Sequence, residues 1–103
     1  MNVTVPDQTR VIRHYGPDAQ ALVHCEELGE LIQSISKVRR AEREGWDHSA
    51  ARVHLIEEMA DGDICLEQLR ELDDIRDWEL QYEINRKCMR QEERMKHGGG
   101  MNR

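Results

Sequence analysis

Glu27 and Glu30, and again Glu58 and Asp61, are acids three residues apart inside otherwise apolar runs. On an α-helix that spacing stacks the two side chains of a pair on one face, one turn apart. Two such helices laid side by side would bring four carboxylates to one place. Solvated helix acids usually find an opposite charge three or four residues away. A third stretch follows that habit, with Glu83 followed by Lys87 and Glu92 by Lys96. The four acids do not: three and four positions either side of them stand only other acids, neutral residues, and His24 and His54. Like charges at this spacing cost about 0.2–0.5 kcal/mol per pair on an exposed helix, and more where water is excluded. The pattern therefore calls for a cation that the sequence does not supply. Carboxylate oxygens without thiolate select Mg²⁺ or Mn²⁺, and an incomplete protein shell leaves room on such an ion for substrate phosphates.

The chain's totals narrow the setting. With 103 residues it is expected to be one domain, burying roughly 60–65% of its unfolded surface. With 38% hydrophobic residues, no Phe, two Trp and two Tyr, its core is thin, and assembly into a homodimer or homotetramer is expected to complete it. A net charge of −6 argues against a nucleic-acid backbone binder, which needs a basic footprint. No apolar run is long enough to span a bilayer and residues 1–13 are polar and mixed, so no membrane association and a cytoplasmic location are expected. Cys25, Cys65 and Cys88 are odd in number and form no Cys-x-x-Cys pair, which points to small buried hydrophobes in a reducing compartment rather than to disulfides or zinc.

Periodicity predicts an all-α fold with three main helices, preceded by an irregular arm over residues 1–16. Pro17 and Asp18 suit the first turn of a helix that runs to about Glu44, with Gly45 as its stop. Its apolar stripe is Leu28, Leu31, Ile35 and Val38, widened by Leu22, Cys25 and Ile32. After Trp46, Asp47 or Ser49 caps a second helix carrying Val53, Ile56, Met59, Ala60, Ile64, Leu66, Leu69 and Leu72. Asp73-Asp74 ends it and opens a third, with Ile75, Trp78, Tyr82, Ile84 and Met89 turned inward. The helical domain spans 17–97, and 98–103 reads as a disordered tail. Gly29 and Gly62 interrupt helices beside the acids. A mid-helix Gly costs about 1 kcal/mol relative to Ala, so close helix approach is the expected reason for both.

The block Glu26-Glu27-Leu28-Gly29-Glu30-Leu31 followed by Glu57-Glu58-Met59-Ala60-Asp61 resembles the MazG-like, all-α nucleoside triphosphate pyrophosphohydrolase superfamily, most of all its short single-domain members from phage and bacteria. The similarity runs from roughly Tyr15 to Met95. It includes Leu-Ile-Gln-Ser-Ile-Ser-Lys after the first pair and Ile-Cys-Leu-Glu-Gln-Leu after the second. One departure is Gly62-Asp63, where the family usually has an apolar residue after the Asp. The resemblance implies a helical bundle of MazG-like type and Mg²⁺, with Mn²⁺ as an alternative, held by Glu27, Glu30, Glu58 and Asp61. It also implies a reaction that converts a nucleoside triphosphate and water to the monophosphate and pyrophosphate, as nucleotide-pool housecleaning. In the family's manner, His14 and Tyr15 would line a base pocket.

Other residues take roles around that centre. Glu26 and Glu57 point about 100° away from their neighbours and are candidates to accept a proton from the attacking water, or are surface charges. Lys37 lies two turns beyond Glu30 on its face, placed to meet nucleotide or polyphosphate, or is simply solvated. Lys87, Arg90 and Arg94 share a face of the third helix and could clamp phosphate, although Lys87 is also placed to pair with Glu83. Trp46 and Trp78 could stack a base, or belong to a core or interface. Two further readings of the whole chain stay open. One is a non-catalytic helical interaction module with solvated acids. The other is a di-iron carboxylate bundle, which wants Glu-x-x-His and meets instead His24 before Glu27 and His54 before Glu58.

Overall fold

A computed structural model describes residues 3–98, which contain four helices and no strand: α1 (Thr9–Tyr15), α2 (Pro17–Glu44), α3 (Ser49–Leu72) and α4 (Asp77–Lys96). The chain divides after Asp73 into two bodies, the first built from α1, α2 and α3 and the second from α4. None of the helices among the described residues is long and apolar enough to cross a membrane.

The ends of the long helices follow from local chemistry. Pro17 occupies the first turn of α2 with Asp18 beside it, and Gly45 closes the helix at φ 73°, a left-handed conformation that costs glycine little. Asp47 serves α3 by accepting hydrogen bonds from the Ser49 N–H at 3.0 Å and the Ser49 hydroxyl at 2.8 Å. At the far end α3 stops at Leu72, and Asp74 turns the chain at φ 51°. α4 begins at Asp77 rather than directly after Asp74, where the Glu79 carboxylate accepts the Arg76 N–H at 2.8 Å.

The N-terminal arm is more ordered than its sequence predicts. Asp7 accepts hydrogen bonds from the Thr9 N–H and hydroxyl at 3.0 and 2.6 Å and so starts α1. Seven residues are too few for a helix to stand alone, and α1 packs on both α2 and α3. It is tied there through Gln8, whose side-chain oxygen accepts from Gln68 at 2.9 Å and whose backbone N–H donates to Glu71 at 3.3 Å. Gln68 in turn accepts from His24 at 2.8 Å, which completes a chain of buried amides and imidazole from the arm through α3 to α2.

α2 and α3 are joined by four residues and pack as an antiparallel hairpin. The least exposed positions of α2 are Gln20, His24, Glu27, Leu31, Ser34, Val38 and Ala41, in strict alternation of four and three. Those of α3 are Glu58, Gly62, Cys65 and Gln68, with Ala51, Leu55, Leu69 and Leu72 half-buried; all but Gln68, which sits beside Leu69, fall in the same alternation. This is the seam of a two-helix coiled coil. It corrects the expected stripe: Leu31 and Val38 belong to the seam, whereas Leu22 and Ile32 are 69% and 67% exposed and Ile35 is also exposed. Cys25, Leu28, Ile32 and Ile35 form a second stripe one position over, less buried than the seam. The periodicity of α2 accommodates both stripes, and the polar residues Gln20, His24 and Glu27 had hidden the one that is buried.

α4, taken by itself, buries none of its residues. Trp78 is 68% exposed, and Ile75, Tyr82, Ile84 and Met89 are exposed as well, so the second body by itself does not bury the expected inward set. A lone helix has no second apolar face against which to close. Gly98 follows it at φ 74°, and the remainder of the tail, expected to be disordered, lies outside the described residues.

The two glycines beside the acids prove different. A Cβ added at Gly62 would lie 3.3 Å from Leu31 Cδ2 across the seam, whereas one at Gly29 meets nothing within 4 Å. Close approach explains Gly62 and does not explain Gly29. Gly29→Ala is therefore expected to stabilise the protein by about 0.5–1 kcal/mol, a rise of a few degrees in Tm. Gly62→Val, which pushes two methyls into Leu31, is expected to destabilise it. Thermal melts of both variants decide this, and a drop in Tm for Gly29→Ala would contradict the open space at that position.

Candidate metal centre

Seam geometry brings acids from two helices together. Glu27 on α2 and Glu58 and Asp61 on α3 each offer a carboxylate oxygen within 4.8 Å of the others. Glu58 is only 5% exposed and Glu27 is half-buried. Glu30 stands outside that trio but close enough to Glu58 for charge repulsion. Of the four acids predicted to converge, three meet directly and the fourth flanks Glu58.

No Lys or Arg among the described residues pairs with any of the four. The imidazole of His54 approaches this cluster, with Nε2 at 3.7 Å from Glu58 Oε1 and Nδ1 at 3.9 Å from the neighbouring Glu57 Oε2. Burial, followed by repulsion from Asp61 and Glu30, pushes the Glu27 carboxyl above its ordinary value. Burial, followed by repulsion from Glu30, does the same to Glu58, while His54 partly opposes it. Glu27 Oε2 and Glu58 Oε2 are fully buried with no hydrogen-bond partner among the described residues.

These features fit a divalent cation. Oxygens on opposite sides of an octahedral Mg²⁺ lie about 4.2 Å apart, twice the Mg–O distance. Carboxylates already within 4.8 Å of one another need only small side-chain adjustments to reach that span. The two orphaned oxygens are acceptors for which the described residues provide no donor, and hard oxygen donors without thiolate suit Mg²⁺ or Mn²⁺. Cys65 lies near enough to feel Glu27 and Asp61, but burial and those two charges hold it as the thiol.

A cleft of about 430 Å³ adjoins the acids and has Glu27 and Asp61 in its wall. α1 supplies Val11 and Tyr15 to that wall, α2 supplies Gln20 and Val23, and α3 supplies Ile64 and Gln68. Tyr15 thus lines the cleft beside the acids. His14 does not line this cleft. It stacks edge-on with Tyr15 and lines a more open hollow along α1 with Arg10 and Arg13. The sequence reading missed Gln20, Gln68 and the two arginines. A signal for the glutamines exists in hindsight: both lie at or beside the heptad positions that carry Glu27 and Glu58.

The other expected residues are placed as follows. Glu26 and Glu57 are exposed, each next to a seam acid, and Lys37 is exposed without an ion-pair partner among the described residues. On α4, Lys87, Arg90 and Arg94 line one hollow together with Gln91. Glu83 pairs there with Arg86 at 2.9 Å rather than with Lys87. Trp46 is exposed in the α2–α3 connection. Of the cysteines expected to be buried, only Cys65 is, and Cys25 and Cys88 are exposed free thiols.

Comparison with known proteins returns no match: no family model fits the chain, and no curated protein or solved structure is significantly similar to it.

Raised carboxyl pKa values fix the direction of a pH effect. A carboxyl that binds its proton more tightly when folded costs stability on ionising. The cost is absent below the ordinary Glu value of 4.5 and grows as pH rises through that value towards the raised one. As pH rises above 4.5 the metal-free protein should therefore lose stability from these two groups. Glu71, raised by burial and by its contact with Asp7, acts in the same direction. Urea unfolding in chelator across this range should show a shallower decline in Glu27→Gln than in the wild type. Identical slopes would mean that Glu27 carries no such strain.

Proposed function

We propose that the chain is a metal-dependent nucleoside triphosphate pyrophosphohydrolase of the MazG-like type, which releases pyrophosphate from a ribo- or deoxynucleoside triphosphate. The observation that carries this reading is the convergence of Glu27, Glu58 and Asp61 with two buried carboxylate oxygens that have no donor. When bound, Mg²⁺ would neutralise phosphate charge and lower the pKa of an attacking water. Glu27, Glu58 and Asp61 would hold the ion, with Glu30 completing the set beside Glu58. Glu26 and Glu57 are the acceptors for the water's proton, and His54 lies beside Glu57 and Glu58. Lys37, exposed and unpaired among the described residues, is the α2 cation for the polyphosphate. Lys87, Arg90 and Arg94 make a separate place on α4 where phosphate oxygens can be clamped. Exposed free thiols at Cys25 and Cys88 suit a reducing cytoplasm.

The same proposal includes a second copy of the chain. Cys25, Leu28, Ile32 and Ile35 on α2, and Ile56, Met59 and Leu66 on α3, leave apolar surface on a hairpin whose buried apolar residues are only Val38, Ala41 and Cys65. Pairing such hairpins gives a four-helix core. Light scattering should find a dimer or tetramer whose unfolding midpoint rises with protein concentration, and a monomer with a constant midpoint would refute this part.

Activity and stability test the centre independently. Glu27→Gln and Asp61→Asn should abolish Mg²⁺-dependent pyrophosphate release from a panel of nucleoside triphosphates while keeping the helical signal. Full activity in both variants would remove the site assignment. Mg²⁺ should also raise Tm beyond sodium chloride at matched ionic strength, by the equivalent of about 2.7 kcal/mol at a hundredfold excess over Kd. That excess should vanish in Glu58→Gln. Equal shifts by sodium and magnesium would leave the acids as an ordinary charged surface.

A further inference from the structure

Gln8 fastens the arm to the hairpin. Its backbone N–H donates to Glu71 Oε1 at 3.3 Å, its side-chain oxygen accepts from Gln68 Nε2 at 2.9 Å, and its own Nε2 donates to the Pro6 carbonyl at 3.0 Å. Around that point the attachment is slight. A hollow of about 160 Å³ remains between residues 3–6 and Ala60, Asp63 and Ile64 of α3. α1 buries none of its seven residues, and it runs directly into Gly16, at φ 83°, before Pro17 opens α2. Glycine moves between left- and right-handed backbone conformations at little cost, so Gly16 is a ready joint. A short helix with no buried side chain belongs to the part of a structure that opens most easily.

The fastening contains a titratable group with a like charge beside it. Glu71 holds the Gln8 N–H with one oxygen, while the other, Oε2, is buried with no hydrogen-bond partner among the described residues. Asp7 lies beside it and is kept in its ionised form by the Thr9 hydroxyl and N–H, which both donate to Asp7 Oδ1. Burial, followed by Asp7, pushes the Glu71 carboxyl above its ordinary value. Other charges stand around the pair. Glu67 adds repulsion, Arg70 donates to Glu67 at 3.1 Å, Arg13 of α1 acts on Asp7, and α2 contributes His24, bonded to Gln68. The balance of all of them still favours Glu71 with its proton on.

We propose that residues 3–15 form a gate on the cleft, hinged at Gly16 and latched by Asp7 and Gln8 on Glu71 and Gln68, and that loss of the Glu71 proton releases the latch. Val11 and Tyr15 of α1 line the same hollow as Glu27, Asp61 and the buried Cys65, so swinging α1 about Gly16 widens the way to the acids and uncovers that thiol. Protonated Glu71 sits beside Asp7 without repulsion, and the arm stays down. Ionised, it accepts the Gln8 N–H more strongly but sets two negative charges together in a partly buried place, and its preference for the proton shows that the second effect wins. The latch is therefore at full strength below pH 4.5 and weakens as pH rises through the raised value of the folded protein. Neither metal nor nucleotide enters the device, so it stands or falls apart from the hydrolase reading.

Cys65 reports the gate. In the full chain carrying Cys25→Ser and Cys88→Ser it is the remaining thiol. Its reaction with dithiodipyridine in chelator is followed from below pH 4.5 upwards, together with amide hydrogen exchange of α1 and α2. Glu71→Gln keeps an acceptor for the Gln8 N–H, supplies a donor for Asp7 and cannot ionise. Comparing it with the parent at each pH cancels the ionisation of the thiol itself. The two should react alike below pH 4.5, and the parent should become several-fold faster as pH rises, with α1 exchange quickening and α2 exchange unchanged relative to the variant. Gln8→Ala, which removes the bond to Gln68, should react fast at every pH. Should Glu71→Gln not fold, Asp7→Asn removes the other charge of the pair and should slow the reaction in the same way. Equal rates with and without the Glu71 or Asp7 charge would overturn the proton release. Slow reaction of Gln8→Ala would overturn the latch, and α1 and α2 amides loosening together would mean that the whole hairpin opens and would overturn the gate.

Discussion

Carboxylates at the buried seam of a helical hairpin are the constraint on which the rest of the first body depends. Coiled-coil seams are normally apolar because each position loses water when the helices meet. Here Glu27 and Glu58 occupy seam positions, with Asp61 and Glu30 close by, and burial together with mutual repulsion raises the Glu27 and Glu58 carboxyls. Several other seam positions are small or apolar. Gly62 lets Leu31 approach directly across from it, and Val38 and Ala41 close the end of the hairpin next to the α2–α3 connection. Strain of this kind gathers at functional sites, and a divalent cation is the simplest partner that would relieve it.

A second polar group accompanies the acids along the same seam. His24, Gln68 and Gln8 form a buried hydrogen-bonded chain that draws the segment before α1 against the hairpin. Its consequence is geometric: α1 becomes a wall of the cleft, and Val11 and Tyr15 face the hollow that Glu27 and Asp61 also line. The short helix is thus fixed by side-chain bonds from other elements rather than by its own length. The Gln68 amide is spent on structure, bonded to both His24 and Gln8.

Apolar surface remains after the hairpin has closed. Leu22, Ile32 and Ile35 on α2, Met59 and Leu66 on α3, and Trp78, Tyr82 and Met89 on α4 are all exposed. Two helices have one seam between them, and a helix with apolar residues on two sides can bury only one in a hairpin. The proposed second copy is the partner that these residues favour. The chain's low aromatic content and the small set of buried apolar residues point to the same need.

The sequence by itself determined the three long helices and marked the acids, but not α1. Pro17 and Gly45 bound α2, Asp47 starts α3, and two three-residue spacings without a neighbouring Lys or Arg mark Glu27, Glu30, Glu58 and Asp61, because these are effects within one or two turns of chain. Tertiary structure decided which stripe of α2 is buried, since Leu28, Ile32 and Ile35 offer as good an apolar period as the seam that includes Gln20, His24 and Glu27. It also placed Glu30 beside the trio rather than within it and turned the arm into a cleft wall through Gln8. Those outcomes depend on which residues of one helix meet which of another. Distance along the chain does not encode that, because α2 and α3 meet through residues more than forty positions apart at His24 and Gln68 and about thirty apart at Leu31 and Gly62.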